Sequence, residues 1–122
     1  MHLLRVWADE AGESHFSDEA LPERVVPAGT GVPELTIGGP LPAVEVELVD
    51  VRGDGTPPDW HPAPRRQLVV FVTGPVTIRT SDGGRRSLPP GTAVLVEDTW
   101  GRGHVTEHPV GDQRVLQVPL RD

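Results

Sequence analysis

Five histidines, no cysteine and no lysine bound the side-chain chemistry open to this chain of 122 residues. His61 and His104 are of the type suited to proton transfer, because an imidazole changes charge near neutral pH. Strand side chains alternate between faces. His61, Ala63, Arg65 and Gln67 therefore share one face if their segment is a regular strand, and His104, Thr106 and His108 likewise share one. Pro62 and Pro64 remove two ladder donors, which makes the first segment an edge or a strand entry. Brought together, His61 and His104 can serve as acid and base, with Gln67 as the polar anchor that orients a substrate. The plainest alternative is a pair of core-facing histidines satisfied by backbone groups.

Other residues around these segments have two readings each. Glu97 and Asp98 stand just before a glycine loop. Asp98 either caps backbone amides around Gly101 or fixes His104 and takes part in proton transfer. Arg65 and Arg66 either hold a carboxylate in a bidentate fork or pair with acids from the first half of the chain; the second reading is favoured for Arg66. Trp60 and Trp100 flank the two histidine segments and, with Phe71, are candidates for the apolar walls of a binding site. Asp98, Arg65 and His108 complete the candidate substrate contacts. His15 beside Phe16 suits a plug at one end of the fold or an interface rather than catalysis. Gly101 and Gly103 permit an unusual backbone turn before His104.

The elements that position these residues are strands. Fourteen Pro and fourteen Gly leave little room for helices, and apolar alternation with a period of two recurs instead. Strands are expected over residues 44–51, 68–73, 75–80, 85–88, 92–97, 104–110 and 114–120, with turns at 81–84 and 89–91. The nearly all-apolar run 68–73 suits a strand buried on both faces. One domain, residues 1–122, is expected. Residues 1–26 give one or two outer strands, 27–43 form a Pro/Gly-rich loop across the sheet or a lid, and 44–120 form the barrel core.

Composition narrows the partners. The formal net charge is −7, which disfavours nucleic acid and anionic membranes. Residues 1–60 hold twelve acids and three arginines, whereas residues 61–122 hold six acids and eight arginines. With no Lys, a Schiff base is excluded, and with no Cys there is no disulfide or thiolate. No stretch approaches the ~20 apolar residues of a membrane helix, and the N-terminus turns acidic too early for a signal peptide. A cytoplasmic location is expected.

Two stretches resemble the two-part signature of the cupin superfamily. Gly55, five residues, His61, with Gln67 and then Gly74 after six more, keep the spacing of the first part. Ala63 stands where that family has a second His, and Gln67 where it has Glu. The second part runs from Gly91 to His104, with Glu97 at the family's Pro position and His104 two residues late. WHPAPRRQ (60–67), EDTWGRGH (97–104) and GESHF (12–16) together resemble a group of small stand-alone bacterial cupins. The resemblance implies an all-β, cupin-type jelly-roll barrel with His61 and His104 pointing inward, and a homodimer. It implies an enzyme transforming a small molecule inside the barrel by acid/base chemistry of isomerase, epimerase, cyclase or dehydratase type. A metal-dependent dioxygenase, a non-catalytic small-molecule-binding module and a structural dimer with a filled interior are the alternatives. The ligand positions of that signature make His61, Gln67 and His104, with His108 as a fourth, the candidate metal ligands; two imidazoles and a neutral amide are a poor set, since Zn, Fe and Ni prefer imidazole with carboxylate or thiolate, and the cofactor is either absent or one divalent transition metal.

Overall fold

The computed structural model describes residues 1–53, 55–109 and 111–122. Every regular element in them is a strand: β1 (His2–Ala8), β2 (Ser14–Ala20), β3 (Glu23–Val26), β4 (Leu35–Gly38), β5 (Glu47–Val51), β6 (Gln67–Phe71), β7 (Val76–Thr80), β8 (Arg85–Leu88), β9 (Thr92–Val96), β10 (His104–Glu107) and β11 (Gln113–Pro119). A six-stranded sheet has the order β2-β1-β9-β6-β11-β5, a three-stranded sheet β10-β7-β8, and a two-stranded sheet β3-β4. The chain is thus all-β, built of several sheets in the manner of a β-sandwich or barrel. Among the described residues no helix is long and apolar enough to cross a membrane.

The core lies between the six- and three-stranded sheets, where Val6, Val69, Phe71, Val94, Val96 and Val115 meet Val76 and Ile78. β6 sits near the middle of its sheet, paired antiparallel with β9 and β11. It is not buried on both faces as its apolar run suggests: Gln67, Val69 and Phe71 are buried, whereas Leu68 and Val70 on the other face are half-buried. The β7–β8 turn follows its residues: Asp82 Oδ1 accepts from the Thr80 hydroxyl at 2.6 Å and from the Gly84 amide at 2.9 Å, an Asx-type closure.

The first 43 residues depart from expectation. β1 is not an outer strand; it pairs in parallel with β9, Val6 opposite Val96, and antiparallel with β2. Asp9 makes the β1–β2 return possible, its Oδ1 accepting from the amides of Ala11 and Glu13 at 2.9 and 3.0 Å. Residues 27–43 are not a plain loop, because β4 pairs with β3 in an antiparallel hairpin. Val25 and Leu35 of that hairpin are exposed, and their short, Gly- and Pro-broken alternation explains why the sequence reads as connection. The strand expected over 44–51 begins only at Glu47. The expected strand 104–110 ends at Glu107, and Val110 lies outside the described residues.

Candidate functional site

A cavity of about 1080 Å³ opens between the two larger sheets, at the upper end of the range for small-molecule sites. Val69, Phe71, Val96 and Val115 of the large sheet and Ile78 of the small one give it apolar walls, and His61, Gln67, His104, Thr106 and His108 give it polar ones.

His61 and His104 meet because their backbones pair. His61 N–H donates to the His104 carbonyl at 3.1 Å and His104 N–H to the His61 carbonyl at 3.0 Å. Residues that exchange both bonds lie directly opposite with side chains on one face, and the two rings are 5.2 Å apart between centroids. Gly103 permits this approach. It has φ +75°, and a Cβ there would lie 2.1 Å from the His61 carbonyl oxygen. The loop leading to it is fixed from outside by Gly12, whose carbonyl accepts from Arg102 N–H at 2.9 Å. Buried Ser14 adds a second tie, its hydroxyl donating to the Gly103 carbonyl at 2.7 Å.

Asp98 does not cap the glycine loop. It is fully buried and its Oδ2 is 2.7 Å from His104 Nδ1. A carboxylate accepts, so Nδ1–H donates and Nε2 is the free nitrogen. Asp98 is absent from the cavity lining and acts through His104 rather than on a ligand. His61 Nδ1 donates to the Asp59 carbonyl at 3.0 Å, with the same consequence for its Nε2. Gln67 is buried, and its Oε1 has no partner among the described residues.

Besides Asp98, three expected contact residues fall outside the cavity lining. The chain bends over residues 64–66, because Pro62 and Pro64 cannot continue a ladder. Arg65 therefore swings out of the face shared by His61, Ala63 and Gln67 and pairs with Glu45 at 2.8 Å and with Glu47. Trp60 is exposed and lies under the Arg79 guanidinium at 5.8 Å. Trp100 is exposed with its ring edge against Gly12. Neither tryptophan is among the cavity residues, and Phe71 is. Arg66 does form an ion pair, at 2.5 Å, but with Glu97 rather than an acid of the first half; Arg5 meets the other oxygen of Glu97 at 2.5 Å. Burial pushes the Glu97 carboxyl up, yet the two arginines together hold it below its ordinary range.

Gln113, Gln117, Asp59 and Glu107 were not evident as site residues. Gln113 is buried and bonds His108, and the other three line the cavity. A signal existed for the two glutamines: Gln113-x-Val115-x-Gln117 puts polar residues at the inward positions of a strand, which is unusual for a core face.

The metal that the cupin resemblance implies is not matched by these donors. Among the described residues, no group of three or more His, Asp or Glu side chains is placed to hold a metal ion. His61, His104 and the neutral Gln67 amide lack the carboxylate that would offset a divalent charge. No protein-family model and no curated protein matches the chain.

Proposed function

We propose that this chain is a cupin-type jelly-roll enzyme that transforms a small organic molecule in the cavity by proton transfer. The observation that carries the reading is the buried Asp98–His104 hydrogen bond of 2.7 Å at the wall of a largely apolar cavity. A carboxylate that holds an imidazole in one tautomer also stabilises the imidazolium formed when the free nitrogen takes a proton. His104 Nε2 removes a proton from the substrate. His61, opposite it, enters the cycle as the imidazolium, with a second proton on Nε2, and returns that proton at a neighbouring atom; the proton taken up by His104 then passes back to His61 to reset the pair. Gln67 orients the polar group between them, and Phe71 with the valines excludes water. The net change is an isomerisation, epimerisation, cyclisation or dehydration, none of which needs an external oxidant.

A homodimer belongs to the same reading. β5 is an edge strand, and Leu48 on it and Val44 and Val46 just before it are exposed, as suits a face covered by a second copy. The particle mass in solution tests it.

For the reaction, the protein is incubated in deuterium oxide with a panel of small hydroxy-carbonyl compounds and followed by mass spectrometry. Deuterium gain or a new product is expected with the wild type. A loss of roughly 10²–10⁴-fold is expected for His104→Gln. Binding without exchange or product for every compound would overturn the enzymatic reading and leave a non-catalytic small-molecule-binding module.

A further inference from the structure

The cavity holds a third imidazole, and the bonds behind it decide which nitrogen is free. His108 Nδ1 is 2.6 Å from Gln113 Oε1, while Gln113 Nε2 donates to the Pro75 carbonyl at 2.9 Å. A backbone carbonyl only accepts, so the Gln113 amide has one possible orientation, with its oxygen toward His108. That oxygen also only accepts, so His108 carries its proton on Nδ1. Gly74 leaves room for this arrangement, since a Cβ there would lie 2.1 Å from Gln113 Nε2. His61, His104 and His108 are thus all locked alike, with Nδ1–H held by an acceptor. In the neutral form each keeps a bare Nε2, to which no described protein group bonds. The three are not gathered as ligands of one ion, but as separate acceptors they suit separate donors on one molecule.

We infer that the cavity takes an uncharged small molecule bearing two or more hydroxyl or N–H groups on an apolar frame, with Gln113 as the positioning residue that aims His108 at it. The inference rests on the proposed reading of this cavity as the place where small-molecule chemistry occurs. Anions suit it poorly. The chain has no Lys, and Arg52, the one arginine among the described lining residues, is 72 % exposed and faces Asp112 at 3.4 Å. Asp59 and Glu107 also line the cavity, so a carboxylate or phosphate would meet lone pairs and like charge.

The test uses the wild-type chain and four probes of one size: a vicinal cyclohexanediol, cyclohexanol, cyclohexyl methyl ether and cyclohexanecarboxylate. Histidine ring-nitrogen NMR at mildly alkaline pH reads both tautomer and binding. The expected result is a bare Nε2 on His108 in the free protein. Affinity should fall from diol to alcohol to ether by roughly fivefold per lost donor, and the carboxylate should bind no better than the ether. Gln113→Glu keeps the acceptor for His108 but loses the donor to the Pro75 carbonyl, so it should preserve the Nδ1–H of His108 and the affinity order while lowering stability; Gln113→Met should release the tautomer and weaken the diol by roughly one such step. A His108 protonated on Nε2, or a carboxylate that binds as tightly as the diol, overturns the inference. Should the Met variant not fold, the wild-type spectrum and affinity order decide by themselves. Donor-ranked binding with no proton exchange on any substrate would sink the enzymatic reading and keep this one. Exchange accompanied by tight carboxylate binding would do the reverse.

Discussion

His104 depends on two neighbours of opposite kinds, a carboxylate behind it and a glycine before it. Asp98→Ala leaves the His104 Nδ1–H without its acceptor in a buried place. It is expected to cost about 1–3 kcal/mol, read by denaturant unfolding, besides slowing the proposed reaction. Gly103→Ala meets two penalties: a left-handed backbone that non-glycine residues adopt at a cost of about 1–2 kcal/mol, and a Cβ driven into the His61 carbonyl. Gly83→Ala is the control. It has φ +93° but open space around the Cβ, so it should show only the backbone cost. Equal losses at the two positions would refute a role for Gly103 in letting the histidine strands approach. The cupin resemblance carried the expectation that His61 and His104 point inward, but neither segment shows that their backbones pair. Arg65 has two readings in the sequence, and the structure gives it the pairing with first-half acids, Glu45 and Glu47, because parity along a strand fails wherever prolines bend the chain.

Among the elements, the β3–β4 hairpin stands apart. Both strands pair with each other and with neither larger sheet, and a two-stranded hairpin is marginal in water. Its amides should exchange with solvent faster than those of β6 and β9, which hydrogen-exchange mass spectrometry resolves; equal protection would show that something else covers it. Glu97 does the opposite work, tying the end of β9 to β1 through Arg5 and to the entry of β6 through Arg66. Because folding lowers its pKa, its stabilisation is complete above its ordinary value of 4.5 and fades as pH falls through the depressed folded value. Glu97→Gln is expected to cost about 1–2 kcal/mol at neutral pH and to flatten part of the acid limb of the stability curve. The strands themselves were legible wherever apolar alternation was bounded by Pro and Gly, as at 76–80 and 92–96. The parallel partnership of β1 with β9 was not, since no local pattern records which distant strand lies alongside.

Across the whole molecule, His15 joins two turns on different sheets. Its Nε2 is 2.7 Å from Asp9 Oδ2, in the β1–β2 turn, and its Nδ1 is 2.9 Å from Asp82 Oδ2, in the β7–β8 turn. With an acceptor at each nitrogen the ring serves both only as imidazolium. The hydrogen bond to Asp9 accordingly raises its pKa above the ordinary 6.5, with Asp82 adding to the effect. The clamp therefore stabilises fully below about 6.5 and is lost as pH rises through the raised folded value. At the acid end Asp9, held down by its bond to His15, and Asp82, held down chiefly by the Thr80 hydroxyl, lose their share as pH falls below the ordinary 3.8. Melting temperature should decline from weakly acidic toward alkaline pH. His15→Gln should remove that decline, and a variant with the same pH profile as the wild type would contradict the clamp. Sequence alone placed His15 at an end of the fold or an interface. It had no means to find Asp82, 67 positions away in the chain.

Local chemistry determined the all-β character of this chain: frequent Pro and Gly suppress helices, and period-two patterns make strands. It also marked the two histidine segments, through the prolines before Gln67 and the glycine loop before His104, but not their pairing with each other. Tertiary structure alone decided what stands behind each imidazole. Asp98, Gln113 and the Asp59 carbonyl each set a tautomer through a single hydrogen bond. It alone decided that Trp60, Trp100 and Arg65 turn away from the cavity. Such contacts depend on bends and distant pairings that cost or gain only a kcal/mol or two each, and these are fixed when the sheets close on one another.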